Sequence, residues 1–288
     1  VPIILAVNND LHINSTIALC PEVFNRDDGG LYYPSPTQKW IWNSWLDFWG
    51  RVRKLKKKLR APVYSVLNGD LVDVNSHSHY QIISLNEFDV IDNAIRAIKP
   101  ALDVSDYTFV VRGTEAHVGG SSWFEEQIAK EIGAERDAKC NTHSWYWLEM
   151  ELEKVGFGFA HQPCTNSFRR WTQGAAANRQ AATLVYNYFG EDWYPEVCCF
   201  GHFHHDEDSF DNHPIRAIYL PPWAAHSSYD KRTRAWEIPK IGGNIFVIED
   251  GKYDLEKVRY RPKRRSPWRP KKQLSKVKDS IRRIGIVI

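Results

Sequence analysis

"CCFGHFHHDED", Cys198 to Asp208, decides how the chain is read. A short apolar run ends at Phe200, a glycine follows, and His202, His204 and His205 fall within the next four positions. An apolar run of this length closed by glycine reads as a buried strand running into a turn. Side chains at alternate positions of an extended segment point the same way, so His202 and His204 can face one site. Two imidazoles bracketing an aromatic offer little to packing and much to a metal ion. His205, Asp206, Glu207 and Asp208 read as a solvated loop.

The same pattern recurs upstream. "VPIILAV" reads as a buried strand, not a leader peptide, and is followed by Asp10 and His12. "PVYSVLNGD" ends on Asp70, with Asp73 close behind. "YTFVVRG" leads to Thr114, Glu115 and His117. "WYWLEMELEKVGFGFAH" alternates and turns near Lys154-Val155-Gly156, which predicts a hairpin ending at His161. Ligands of open α/β sheets gather at the carboxyl ends of strands, so these segments are expected to meet at one rim. Asp and neutral His without Cys suit Mn, Fe, Zn or Ni, and one Asp carboxylate can bridge two ions. Two such ions roughly 3.5–4 Å apart clamp a phosphoryl group and activate water near neutral pH.

Apolar spacing predicts helices over 38–60, 86–99 and near 174–189. Another is expected to start at a capping box, Ser122 with Glu125, and to stop at Gly133. Later strands are "IRAIYLP", "GGNIFVIED" and "YDLEKVRYRP", the last two joined by an Asp250-Gly251 turn. Strand–helix units followed by a strand-rich half predict a layered α/β sandwich rather than an all-parallel doubly wound sheet. The 288 residues, 43% hydrophobic with 12 Trp, can fill such a core. We expect one domain over 1–260 and a basic tail over 261–288. No apolar run reaches the ~18 residues of a membrane span. Five cysteines, two of them adjacent, fit reduced thiols and a cytoplasmic setting better than a disulfide framework.

Together the motifs resemble those of the calcineurin-like metallophosphoesterase superfamily, in the same order along residues 6 to 204. "DLH" resembles its D-x-H, "GDLVD" its G-D-x-x-D, and "GHFH" its G-H-x-H. His161 stands where the family has a lone His, and "RGTEAH" where it has G-N-H-[DE]. The resemblance implies a layered sandwich of two mixed β-sheets flanked by helices, and two divalent metal ions. Asp10, His12 and His204 would hold one, His161 and His202 the other, and Asp70 would bridge. The third motif departs from the family. Thr114 replaces a ligand Asn and would ligate the second metal only weakly through its hydroxyl, leaving that ion loosely held, and Glu115 replaces a His that assists the leaving group. His117 is either the general acid or a replacement ligand, and Glu115 a ligand or base.

Other residues have more ordinary readings beside the functional one. Asp73 is expected to orient a ligand. Arg112, Arg169 and Arg170 could grip phosphate, or pair with surface acids. His77 and His79 read as surface loop, and His226 is an open candidate for the rim. "RVRKLKKKLR", Arg51 to Arg60, carries seven cations and no acid, either as a solvated helix face or as a footprint on nucleic acid. From Arg261 onward the chain carries a net charge of +10, against −7 for the remainder. Such a tail is a solvated arm or a nucleic-acid contact. The expected activity is metal-dependent hydrolysis of phosphoesters, diesters or nucleic acid first and monoesters second. A degenerate binding module and a mononuclear zinc site of His161, His202 and His204 are the rivals.

Overall fold

The computed structural model describes residues 1–74, 81–164, 172–228, 231–232 and 239–263. His77, His79, Arg169, Arg170 and most of the basic tail lie outside the described residues.

The first half runs β1 (Ile3–Asn8), β2 (Phe24–Asn25), β3 (Leu31–Tyr32), α1 (Pro36–Leu59), β4 (Val63–Asn68), α2 (Glu87–Leu102) and β5 (Tyr107–Val111). Then come α3 (Glu115–Val118), a 3-10 turn over Gly120–Ser122, α4 (Trp123–Glu131), β6 (Ser144–Trp145), β7 (Leu148–Leu152) and β8 (Val155–Phe159). The remainder is α5 (Gln173–Asn187), β9 (Val197–Phe200), β10 (Glu207–Asp208), β11 (Arg216–Tyr219), β12 (Ile241–Glu249) and β13 (Lys252–Tyr260). The six-stranded sheet has the order β13-β12-β1-β4-β5-β6, the five-stranded sheet β10-β11-β9-β8-β7, and β2 and β3 form a separate two-stranded pair. β1, β4, β5 and β6 are parallel, as are β8, β9 and β11; the other members join antiparallel. The expected pair of mixed sheets is therefore present.

Period-two alternation sorts the strand residues between layers. Ile4 and Ala6 of β1 face α1 and α2 with Ile41, Trp45, Phe48, Ala94 and Ile98. Leu5 and Val7 face the second sheet, joining Val66, Val111, Phe157, Phe159, Val197 and Phe246. α5 covers the far side of the second sheet through Ala176, Ala181 and Leu184. The order is helices, sheet, sheet, helix. Each fully buried large side chain in these layers contributes about 1.5–3 kcal/mol.

Local signals explain most boundaries. α1 opens with Pro36 after a capping box between Ser35 and Gln38, and closes at Arg60, whose φ is 53°. α2 runs past the expected end and takes Pro100 into its last turn. The β7–β8 turn lies at Glu153 and Lys154, earlier than expected, because both adopt positive φ (48° and 70°). Asp250 and Gly251 form the expected turn, with φ of 50° and 72°.

Two sequence expectations are corrected. Residues 205–208 are not a solvated loop: His205, Glu207 and Asp208 are buried. Paired cations make this burial tolerable, since Asp208 meets Arg216 and Lys257, and Asp206 meets Arg259. The capping box at Ser122 and Glu125 does not form, because Ser122 takes left-handed angles and its side chain makes no cap bond. Glu125 is instead fully buried.

Topology also places the charges. α1 feeds directly into β4, so its basic last turns lie at the end of the sheet where β4 begins. Lys56 there bonds Asp106, just ahead of β5. β13 runs in the same direction as β1 and β4, opposite to α1: its Tyr260 pairs with Ile241, beyond the level at which Asn244 faces Val7. The chain therefore enters its basic segment at the end of the sheet where β1 finishes.

Phe157 sits between the sheets with no exposure, edge-on to Phe246 at 5.3 Å. Phe157→Ala is expected to cost about 3–5 kcal/mol. Urea unfolding should show a lower midpoint at unchanged slope.

Candidate metal centre

Five strand ends meet at one rim. Asp10 follows β1, Asp70 follows β4, Thr114 follows β5, His161 follows β8 and His202 follows β9. Beyond their strands the first two segments stay joined, through Asp10 N to Gly69 O (3.1 Å) and His12 N to Asp70 O (2.9 Å). The sheets are tied to each other at the same level. Asn68 Nδ2 donates to Ala160 O (3.1 Å), and His161 Nδ1 donates to Asn68 O (2.8 Å). His202 N donates to Asp10 Oδ2 (3.1 Å), and Trp223 N to Asp10 O (2.9 Å).

The backbone is unusual where the ligands are. Asp10, His12, Asp70, His202 and His204 all have positive φ, between 44° and 70°. Asp and His tolerate this region better than most residues, yet each such position is strained, and such strain clusters at functional sites. Two glycines permit the close approach. A Cβ on Gly113 would lie 2.2 Å from Asp70 Oδ1, and one on Gly201 would lie 1.8 Å from Asn9 Oδ1.

The side chains fall into overlapping clusters. Asp10, His12 and His204 offer ligand atoms within 4.8 Å of one another, as do Asp70, His161 and His202. A third set of the same size joins His12, Asp70 and His117. Between the first two, Asp10 Oδ1 stands 3.7 Å from His161 Nε2, which is 3.0 Å from Asp70 Oδ2. Asp10 Oδ1 and His161 Nε2 are buried and, among the described residues, face the carboxylates and imidazoles of these same clusters. Buried carboxylates and imidazoles crowded this closely are costly, and a shared cation resolves several such contacts at once. Because His161 Nδ1 is committed to Asn68 O, Nε2 is the atom it offers. These donors fit a pair of borderline divalent ions.

Electrostatics agree with the geometry. Burial pushes the Asp10 carboxyl up, but His204 and His161 overcome it and hold it well below the usual range. Asp70 is likewise held low, mainly by His161 against burial. Burial lowers His161, yet Asp70 and Asp10 outweigh it and lift it to about 10. His202 is pushed down by burial and by the neighbouring His161, which favours the neutral ring a metal ion needs.

The divergent third motif is now placed. Thr114 donates to Asp70 through N (2.7 Å) and Oγ1 (3.1 Å), so it orients that carboxylate. Glu115 is exposed and accepts from Ser121 N (3.0 Å); it belongs to none of the three clusters. His117 Nδ1 lies 3.1 Å from Asp73 Oδ1, and its ring stands 4.6 Å from that of His12, edge-on. Arg112 donates to Ser144 Oγ (3.0 Å) and lies over the Tyr146 ring. Sequence reasoning missed Asn9 and Asn68 as braces, although both directly follow or end a strand that delivers a ligand. It also misassigned Glu125, whose oxygens accept from Leu71 N (3.1 Å) and Gly113 N (2.6 Å).

No family model and no curated protein matches the sequence. Several solved structures are similar at low identity. A dimetal phosphatase from Danio rerio is 10% identical with a TM-score of 0.44, over 88% of this chain and 95% of that one. Wild-type Vps29 from Entamoeba histolytica, complexed with zinc, is 10% identical with a TM-score of 0.43, over 90% and 99%. Vacuolar Protein Sorting 29 from Cryptosporidium parvum is 10% identical with a TM-score of 0.39, over 91% and 99%. In its own coordinates, with two mixed sheets in one sandwich and five motif ends at one rim, the chain has the layered fold that its motifs imply.

The raised His161 has a measurable consequence. Folding lifts its pKa from an ordinary 6.5 to about 10, so its stabilisation is whole below pH 6.5 and lost as pH rises through 10. Glu125, lifted by burial from 4.5 to about 8, acts in the same sense over that lower interval. Asp10 and Asp70, held low, stabilise above their ordinary 3.8 and lose this as pH falls through their depressed values. Chelator-treated protein should therefore melt at progressively lower temperature from pH 6.5 to 10. His161→Asn should flatten that slope, and a wild-type profile that is level or rising would contradict it.

Proposed function

We propose that the chain hydrolyses phosphoester bonds with two divalent ions, and that its substrates are phosphodiesters, nucleic acid among them. The observation that carries this is a pair of ligand clusters, Asp10 with His12 and His204 and Asp70 with His161 and His202, which a third set links through His12 and Asp70. Asp10, His12 and His204 would hold one ion, His161 and His202 the other, with Asp70 between them. When bound, such a pair supplies Lewis-acid stabilisation of phosphoryl charge and lowers the pKa of water.

The protein's own side chains do the rest. Asp73 holds the Nδ1 proton of His117, which leaves Nε2 to serve the site. Burial would lower the His117 pKa, but the Asp73 bond, with Asp70 and Asp10, raises it. A protonated Nε2 next to the clusters is suited to give its proton to a leaving oxygen. Thr114 steadies Asp70, and Glu115 stays outside this machinery.

Diesters of nucleic acid are favoured by where the chain turns basic. β13 is two strand spacings from β1, roughly 10 Å. It ends at the rim, and 11 Lys or Arg against one Asp follow from Arg261. The α1 cations lie at the far end of the sheet and would not line the same path. No helix among the described residues is long and apolar enough to cross a membrane.

Chelator-treated protein reloaded in turn with Mn, Fe, Zn or Ni should cleave bis(p-nitrophenyl) phosphate faster than p-nitrophenyl phosphate. The reverse order would assign a monoesterase. No turnover of either with any of these ions would leave a binding module. Asp70→Asn should abolish turnover. His117→Ala should cost about 10²-fold or more with an alkoxide leaving group and less with p-nitrophenolate, which needs little protonation. Removing residues 264–288 should weaken single-stranded DNA or RNA binding and reduce its salt dependence, while leaving the small aryl diester unaffected.

A further inference from the structure

Behind Asp70 lies a buried carboxyl group that no ligand cluster uses. Glu125 has no exposed surface, and no Lys or Arg among the described residues pairs with it. Its two oxygens accept from two backbone amides far apart in sequence, Leu71 N at 3.1 Å and Gly113 N at 2.6 Å. Leu71 directly follows Asp70, and Gly113 directly precedes Thr114. Thr114 in turn donates twice to Asp70 Oδ1, through N at 2.7 Å and Oγ1 at 3.1 Å. Successive amides, of Gly113 and Thr114, thus address two different carboxyl groups. The other side of Gly113 is held by the same helix start, since Ser122 Oγ donates to Gly113 O (3.4 Å).

We propose that Glu125 is a positioning residue for the bridging carboxylate, clamping the segments after β4 and β5 so that both Asp70 oxygens face the two ligand clusters. The inference rests on the reading of Asp70 as the bridge. A carboxyl group without a cationic partner is expensive to bury and is retained where it serves a specific geometry. Asp70 has a left-handed backbone (φ 50°) that does not hold itself, and the Gly113 backbone lies against its carboxylate. Groups that hold a ligand from behind typically change metal affinity by about 10–100-fold when removed.

Glu125→Gln keeps the size and one acceptor but turns an NH₂ toward one of the two amides. The measurement is Mn²⁺ binding to chelator-treated full-length protein, by calorimetry and by the exchange-coupled EPR signal of a bridged Mn²⁺ pair. Glu125→Gln should weaken one of the two ions by about 10-fold or more and diminish the coupled signal, in protein whose circular dichroism is that of wild type. Should the glutamine variant fail to fold, Glu125→Asp, shorter by one methylene, is read in the same way. Wild-type affinities and an undiminished coupled signal in a folded variant would overturn the clamp. Asp70→Asn separates the two ideas. If it abolishes the coupled signal while Glu125→Gln does not, only the clamp fails. If Asp70→Asn also leaves Mn²⁺ binding unchanged, the bridge itself is wrong.

Discussion

Face-to-face packing of the two sheets is the constraint on which the rest depends. Neither sheet alone assembles the centre: β1, β4 and β5 deliver Asp10, His12, Asp70 and Thr114, while β8 and β9 deliver His161, His202 and His204. The apolar layer of Leu5, Val7, Val66, Phe157, Phe159 and Phe246 fixes how far the strand ends project past each other. Asn68 then locks the register, donating to Ala160 and accepting from His161. A slip of one residue in β4 or β8 would turn these side chains to the opposite face and scatter the ligands. Core and centre are thus one structure, since the contacts that exclude water between the sheets also set the distances between carboxylates and imidazoles.

Much of this was legible in the sequence, for a definable reason. The candidate ligands belong to short motifs that each follow a strand, and strand ends are marked by apolar runs and glycine. Asp10, His12, Asp70, His161, His202 and His204 could therefore be named, and the structure brings them together. What stayed hidden depends on tertiary partners. Ser122 and Glu125 have the spacing of a capping box, but that spacing does not reveal that two distant amides compete for the Glu125 carboxyl group. His205 to Asp208 are polar enough to read as loop, yet cations carried on β11 and β13 meet Asp206 and Asp208, and buried His205 and Glu207 face each other at 3.1 Å. Thr114 looked like a defective ligand, whereas its hydroxyl and amide both serve Asp70.

The charge distribution is organised by the same topology. Strand direction separates two basic regions that composition alone would merge. The α1 cations sit where β4 starts, with Arg51 partly neutralised by Asp47 and Glu256 and Lys56 by Asp106. The C-terminal cations start where β1 and β13 finish. Lys and Arg density is therefore informative about a substrate path only once strand polarity is known.

The left-handed backbone at Asp10, His12, Asp70, His202 and His204 bears on how such a protein can change over time. Strain of about 1–3 kcal/mol at each of these turns is comparable in sum to the whole net stability of an ordinary domain. The hydrophobic layers must offset it, so a substitution that erodes the core leaves less to hold these turns. Substitutions are tolerated best in the surrounding exposed segments, where neither core nor turn is touched.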